Sequence, residues 1–191
     1  METINKIRII SIWIFIVTLL TLNLCLFISI NYHLFENTLF TVDQLGRSAF
    51  TIPYIDGSIS ISRTARTFPA YLIFKPGMLI TSFLLILYWI AYNKLIQTIS
   101  NDFSKKKYFL YFGIASALCL IIHSLLLGVS FDLDLYKFFR RLVLLSFIIF
   151  EIIAQALLIK NLIKIKSNIT NVINKKLIFF AEALIYFQGR R

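Results

Sequence analysis

Charge is what this chain has least of. Only 15% of its 191 residues are Asp, Glu, Lys or Arg, against about 25% in a soluble domain. Hydrophobic residues make up 59%, and the mean hydropathy is +0.81. A water-facing surface cannot be assembled from that composition, so a soluble globular fold is excluded. Three prolines and six glycines exclude a fibrous repeat or a linker-type polymer, and two cysteines cannot make the disulfide framework of a small secreted domain. Acidic groups are scarcest, nine Asp and Glu against twenty Lys and Arg. What remains is an integral membrane protein.

The apolar residues are gathered into blocks, and about 20 of them are needed to carry a helix across ~30 Å of hydrocarbon. Four blocks qualify: residues 9–30, 72–92, 108–129 and 142–159. None shows the ~10-residue alternation of a barrel strand, so backbone polar groups must be satisfied within helices. The expected fold is all-α, a single polytopic helix bundle occupying residues 1–191. A fifth apolar run, residues 177–187, would reach only ~17 Å as a helix, about half the hydrocarbon. It is expected to lie in the interface, pair with another helix, or begin a segment that the chain does not complete.

Lys6 and Arg8 precede the first block, but its apolar stretch is longer than the ~7 to 15 residues of a signal peptide and has no small-residue exit. It reads as an uncleaved anchor with a cytoplasmic N-terminus. The cations support that orientation. Lys6, Arg8, Lys94, Lys105, Lys106, Lys107, Lys160, Lys164, Lys166, Lys175 and Lys176 fall on the N-terminal side. Arg47, Arg63, Arg66, Lys75, Lys137, Arg140 and Arg141 fall opposite. The side with the excess is cytoplasmic, which puts the long connection, residues 31–71, outside. On a membrane protein this basic excess is a topogenic and anionic-lipid signal. No nucleic-acid module accompanies it, so nucleic acid is not an expected partner.

The outer loop is the first region with site character. Asp56-Gly57 marks a turn, and Ser58 to Ser62 alternates like a strand. The plain reading is a hairpin or ordered coil. The sharper one is a polar lid in which Asp56, Ser60, Ser62, Arg63 and Arg66 meet a lipid headgroup, because the guanidinium fork matches phosphate. Inside the spans, ionisable residues are costly enough to be functional candidates. They are His123 in the third block and Glu151 in the fourth, with Gln155 one turn from Glu151. His123 and Glu151 are not level, so contact between them would need tilt or a bridging water. With no Lys or Arg near it within its own span, Glu151 is expected to face the bundle interior and carry its proton. A satisfied helix-to-helix hydrogen bond competes with a catalytic or proton-coupled role at both positions. Cys25 and Cys119 are expected to be packing thiols, and Gly113 with Ala117 a close helix crossing. Metal-ligand clusters, G-x-S-x-G elbows, Walker loops and dinucleotide fingerprints are missing, so no metal or cofactor is expected.

The stretch Ile52-Pro53-Tyr54-Ile55-Asp56 through Ile61-Ser62-Arg63-Thr64-Ala65 to Pro69, Ile73 and Phe74 resembles the first luminal loop of the Frag/DRAM/Sfk family of multi-span proteins. Tyr136-Lys137-Phe138-Phe139-Arg140-Arg141 leading to Glu151 is similar to a late span of that group. The chain departs from the pattern in having Ala65 where a glycine is usual, and four spans with a short fifth segment instead of six. The resemblance implies a secretory or vacuolar membrane protein in a eukaryote, among relatives that assist lipid remodelling of glycolipid anchors.

Three functions fit these residues: a module that binds or remodels a lipid through its outer loop, a small proton-coupled transporter or accessory subunit in which Glu151 titrates, and a structural subunit of a membrane complex. The expected partners are membrane lipids or a second membrane protein. The expected location is the plasma or inner membrane in a bacterium, or an endomembrane in a eukaryote. Orientation is directly testable with Ser58→Cys and Ser104→Cys. A membrane-impermeant thiol reagent added to intact cells should modify the first and spare the second; labelling of Ser104→Cys from outside would reverse the assignment.

Overall fold

A computed structural model of the chain describes residues 2–31, 64–65, 67–99, 107–127 and 134–164. Four helices account for nearly all of them: α1 Glu2–Ile30, α2 Ala70–Ile99, α3 Tyr108–Leu126 and α4 Asp134–Lys164. All four are long and apolar enough to cross a membrane, as an integral multi-pass protein requires. Among the described residues the fold is all-α. Most of the 31–71 loop and the whole 177–187 run lie outside the described residues.

Three helices extend well past their apolar blocks. At 29, 30 and 31 residues, α1, α2 and α4 are roughly 43 to 47 Å long, enough for the hydrocarbon and both headgroup layers. The 19-residue α3 is about 28 Å long and matches the hydrocarbon alone. Lys75, Lys137, Arg140 and Arg141, expected in connections, therefore sit on the first turns of α2 and α4. Hydropathy marks where a helix meets lipid, whereas backbone hydrogen bonding carries it on into the interface. Lys75 lies there with its Nζ 5.2 Å from the Tyr71 ring centroid, an arrangement that keeps the ammonium at an aromatic membrane edge.

Hydrocarbon offers no water to polar side chains, and most of the described hydroxyls in the helices bond to their own backbones, the buried Ser29 Oγ of α1 being an exception. Thr18 donates to Ile14 O at 2.8 Å, Thr81 to Gly77 O at 2.9 Å, Ser82 to Met78 O at 2.7 Å and Ser124 to Ile121 O at 2.9 Å. The end of α3 is closed by its neighbour, since the Tyr136 hydroxyl of α4 donates to Leu126 O at 2.6 Å, covering a carbonyl that the helix leaves unpaired.

The helices pack in chain order, α1 on α2, α2 on α3 and α3 on α4, with no comparable packing of α1 on α4 among the described residues. Small residues make the contacts close. Gly77 of α2 lies against Thr21 of α1 so tightly that a Cβ would overlap the threonine side chain. One turn further along, Thr18 and Thr81 place their hydroxyls 3.3 Å apart. Cys25 donates its thiol to Ala70 O at 3.4 Å, and both cysteines are free. Gly113 is not simply the backbone-to-backbone crossing that its spacing suggested. The space beside it is filled by the indole of Trp89, which is wholly buried.

Two apolar clusters result. One, around Trp89, Phe109, Ala117, Ala154 and Leu158, fills the half of the bundle near the α2–α3 connection. The other, around Cys25, Phe74, Met78, Leu120 and Leu127, lies toward the 31–71 loop and takes in Ala65 from the loop's end. Large apolar side chains such as Phe15, Leu20, Leu145 and Ile152 point outward from α1 and α4, as lipid-facing residues should. The seat of Trp89 can be tested by Gly113→Ala, whose methyl has no room unless the indole moves. It should destabilise the detergent-solubilised protein by about 1–3 kcal/mol, read as a lower unfolding temperature; an unchanged midpoint would refute the close approach.

Candidate intramembrane site

The loop-side cluster is incompletely filled. A cavity of about 530 Å³ is lined by Ile14, Thr18 and Leu22 of α1, by Phe74, Met78, Thr81 and Leu85 of α2, by Leu120 and His123 of α3 and by Leu144, Phe147 and Glu151 of α4, with Ala65 and Leu127 beyond the helices. Its size is that of a small-molecule pocket. It begins at the level of Ala65 and Leu127, where the outer loop rejoins the bundle, and descends to Leu85 and Glu151 near the middle of α2 and α4. Because α1 and α4 pack less closely on each other than consecutive helices do among the described residues, the side between them is the side on which helix packing seals it least.

His123 and Glu151 thus line one cavity, though they are not bonded to each other. His123 is 9% exposed, and its Nδ1 is buried without a hydrogen-bond partner among the described residues. The backbone of Arg140 lies alongside its ring. Glu151, half-buried, is held lower down by two other groups. Ser116 Oγ of α3 lies 2.7 Å from Glu151 Oε2, and the Gln155 amide donates to Glu151 Oε1 at 3.0 Å. Ser116 and His123 are seven residues apart on α3, two turns or about 10.5 Å along its axis. That separation keeps the imidazole and the carboxyl at different depths.

The Ser116 hydroxyl has a second acceptor, Gly113 O at 2.8 Å, and only one hydrogen to give. Two arrangements satisfy the site. With Glu151 ionised, Ser116 and Gln155 both donate to it. With Glu151 protonated, its O–H can donate to Ser116 Oγ, which turns its own hydrogen to Gly113 O. Rotation of one O–H therefore lets the carboxyl gain or lose a proton without leaving a buried polar atom unpaired. Tyr88 of α2 lies close enough to feel the charge on Glu151. Among the described residues no Lys or Arg lines the cavity, and no His, Cys, Asp and Glu side chains gather into a metal-binding group.

Of the residues marked in the sequence, His123 and Glu151 line this cavity, and Gln155, exposed on α4, is tied to it through its bond to Glu151. Asp56, Ser60, Ser62, Arg63 and Arg66 lie outside the described residues. Their described neighbours Thr64 and Ala65 are buried, with Ala65 on the cavity wall and Thr67 donating its hydroxyl to Thr64 O at 2.9 Å. Ser116, Thr18 and Thr81 were not singled out by sequence. The available signal was that Gly113, Ser116, Ala117, Leu120, His123 and Ser124 fall on one helical face, with two hydroxyls among its small residues.

Glu151→Gln preserves a group that can pair with both Ser116 and Gln155, whereas Glu151→Leu strips both of a partner. The first should unfold near the wild-type midpoint and the second should lose about 1–3 kcal/mol. Equal midpoints for the two variants in detergent unfolding would show that the carboxyl contributes no cross-helix bonding.

No family model, curated protein or solved structure matches the chain, so the chemistry of the site rests on its own residues.

Proposed function

We propose that this integral membrane protein, oriented with its N-terminus in the cytoplasm, binds a lipid-like amphiphile in the cavity between its four helices, with the outer loop reading the headgroup. The observation that carries this reading is the 530 Å³ cavity itself, apolar along most of its wall and polar at His123 and Glu151. An empty apolar space of that size forfeits dispersion contacts that a bound chain would restore. The incomplete closure between α1 and α4 gives a lateral route from the bilayer, and the molecules available along that route are membrane-soluble.

The loop supplies the second half of the recognition. Arg63 and Arg66 flank Thr64 and Ala65 in the chain, and Ala65 is on the cavity wall. Guanidinium groups tethered at that level would meet a phosphate while the acyl chain lies below. The likeness of residues 52–74 to the first loop of the Frag/DRAM/Sfk proteins belongs to the same proposal, since some of those proteins assist lipid remodelling.

Two variants separate the chain-binding and headgroup-binding parts. Thr18→Phe places a ring in the cavity from α1 and should reduce the lipid that co-purifies with the protein. Arg63→Gln with Arg66→Gln should weaken retention of anionic lipids in particular, because each lost charge-assisted bond is worth about 1.5–3 kcal/mol. Mass spectrometry of extracted lipid reads both. Unchanged lipid content in both variants, with unfolding midpoints preserved, would remove the proposal.

A further inference from the structure

Resting on that reading of the cavity, we propose that it also accepts, head first, a second class of amphiphile: a single-chain lipophilic ammonium, whose cation pairs with Glu151 at the deep end in exchange for the carboxyl proton. Among the described residues the wall of the cavity holds one acidic side chain and no Lys or Arg. An anionic head at that depth would face a carboxyl with no compensating charge. A cationic head would neutralise it, and a charge moved into an apolar interior is tolerable only when it is paired there. On α4 the nearest cations are Arg141 and Lys160, about 15 Å and 14 Å away along the axis, so Glu151 has no competing partner on its own helix.

Phe147 lies one turn from Glu151 on α4 and also lines the cavity. An ammonium paired with Glu151 is therefore within reach of an aromatic ring, an arrangement that favours quaternary and alkylated amines over strongly hydrated ones. Between α1 and α4 the tail can extend into the bilayer, so a chain longer than the cavity is accommodated.

The Ser116 hydroxyl makes the exchange feasible. In the unloaded site the protonated carboxyl donates to Ser116, which donates to Gly113 O. When the ammonium arrives, the carboxyl O–H bond breaks, the proton leaves to water, and the carboxylate keeps both the cation and the turned-round Ser116 hydroxyl. The charge of the loaded site equals that of the unloaded one, and no polar atom is orphaned in either state. The other ionisable groups facing this region are Tyr88 from α2, His123 from α3 and, beside His123, Arg140 on α4. The lining residues of α1, Ile14, Thr18 and Leu22, contribute none.

Binding of dodecyltrimethylammonium and of dodecanol to the full chain in phosphatidylcholine nanodiscs tests the idea, with binding to empty nanodiscs subtracted. The cation carries a permanent charge, so any pH effect belongs to the protein. Proton and cation compete for one carboxylate, so wild-type affinity for the cation should rise as pH goes from about 6 to about 8.5. Glu151→Gln should abolish that rise and weaken the cation about 10- to 100-fold while leaving dodecanol binding unchanged. His123→Gln should keep the rise, which separates the carboxyl from the imidazole. Phe147→Leu, a second variant that leaves the Ser116–Glu151–Gln155 set intact, should weaken the cation and not the alcohol. If Glu151→Gln binds the cation as wild type does, or the wild type shows no pH rise, the cation inference is overturned while dodecanol binding still upholds the cavity. If neither probe binds, the lipid reading of the cavity falls and this inference falls with it.

Discussion

In hydrocarbon an unpaired polar group has no water to fall back on, and that single constraint orders most of what the described residues do. Thr18, Thr81, Ser82 and Ser124 turn their hydroxyls onto carbonyls of their own helices. Tyr136 covers a terminal carbonyl of α3. Glu151, the most demanding group in the bundle, is given a partner from the neighbouring helix and another one turn away on its own. Thr81 bonds the carbonyl of Gly77, the same residue whose missing side chain lets Thr21 of α1 approach. Satisfaction of polar groups and tight helix contact are thus two outcomes of the same local geometry.

The cavity follows from how the bulky residues are distributed. Toward the α2–α3 connection, Trp89 sits on Gly113 and packs near Phe109, their ring centroids 6.4 Å apart. Toward the outer loop the described facing residues are Thr18, Thr81, Ala65, aliphatic side chains and the two phenylalanines Phe74 and Phe147, with no indole among them. Among the described residues the helices pack closely only in chain order and enclose that side incompletely. Space is therefore left where the α1–α4 seam is the loosest in the bundle. Filling it from within would have needed several more large side chains; instead the bundle holds a histidine and a carboxyl on its wall.

The helices were legible because a membrane demands a run of apolar residues of defined length, and blocks 9–30, 72–92, 108–129 and 142–159 each fall within an observed helix or nearly so. Their ends were not legible. Hydrogen bonding continues through Lys137, Arg140 and Arg141 without regard to hydropathy, so α4 begins eight residues before its apolar block. Glu151, Gln155 and His123 stood out because charge and amide groups are rare in a span. Ser116 did not, since a hydroxyl that can bond its own backbone costs little and carries no compositional signal. Nor could Gly113 be assigned its partner: spacing on one helix says that a face is small, while the ring that occupies it comes from another helix.

Depth is the property that distinguishes the two ionisable groups on the cavity wall. Seven residues of α3 separate His123 from Ser116, and through Ser116 from the carboxyl of Glu151. An ion pair between imidazolium and carboxylate would have desolvated both groups and closed the space between them. Held apart, each remains addressable by something else: His123 close to the loop end, beside the backbone of Arg140, and Glu151 at the floor with a hydroxyl able to turn either way. The apolar wall between them is what a chain-bearing molecule would cover. The separation of the two polar groups along one helix face, more than the identity of either, is what makes this bundle a vessel instead of a sealed core.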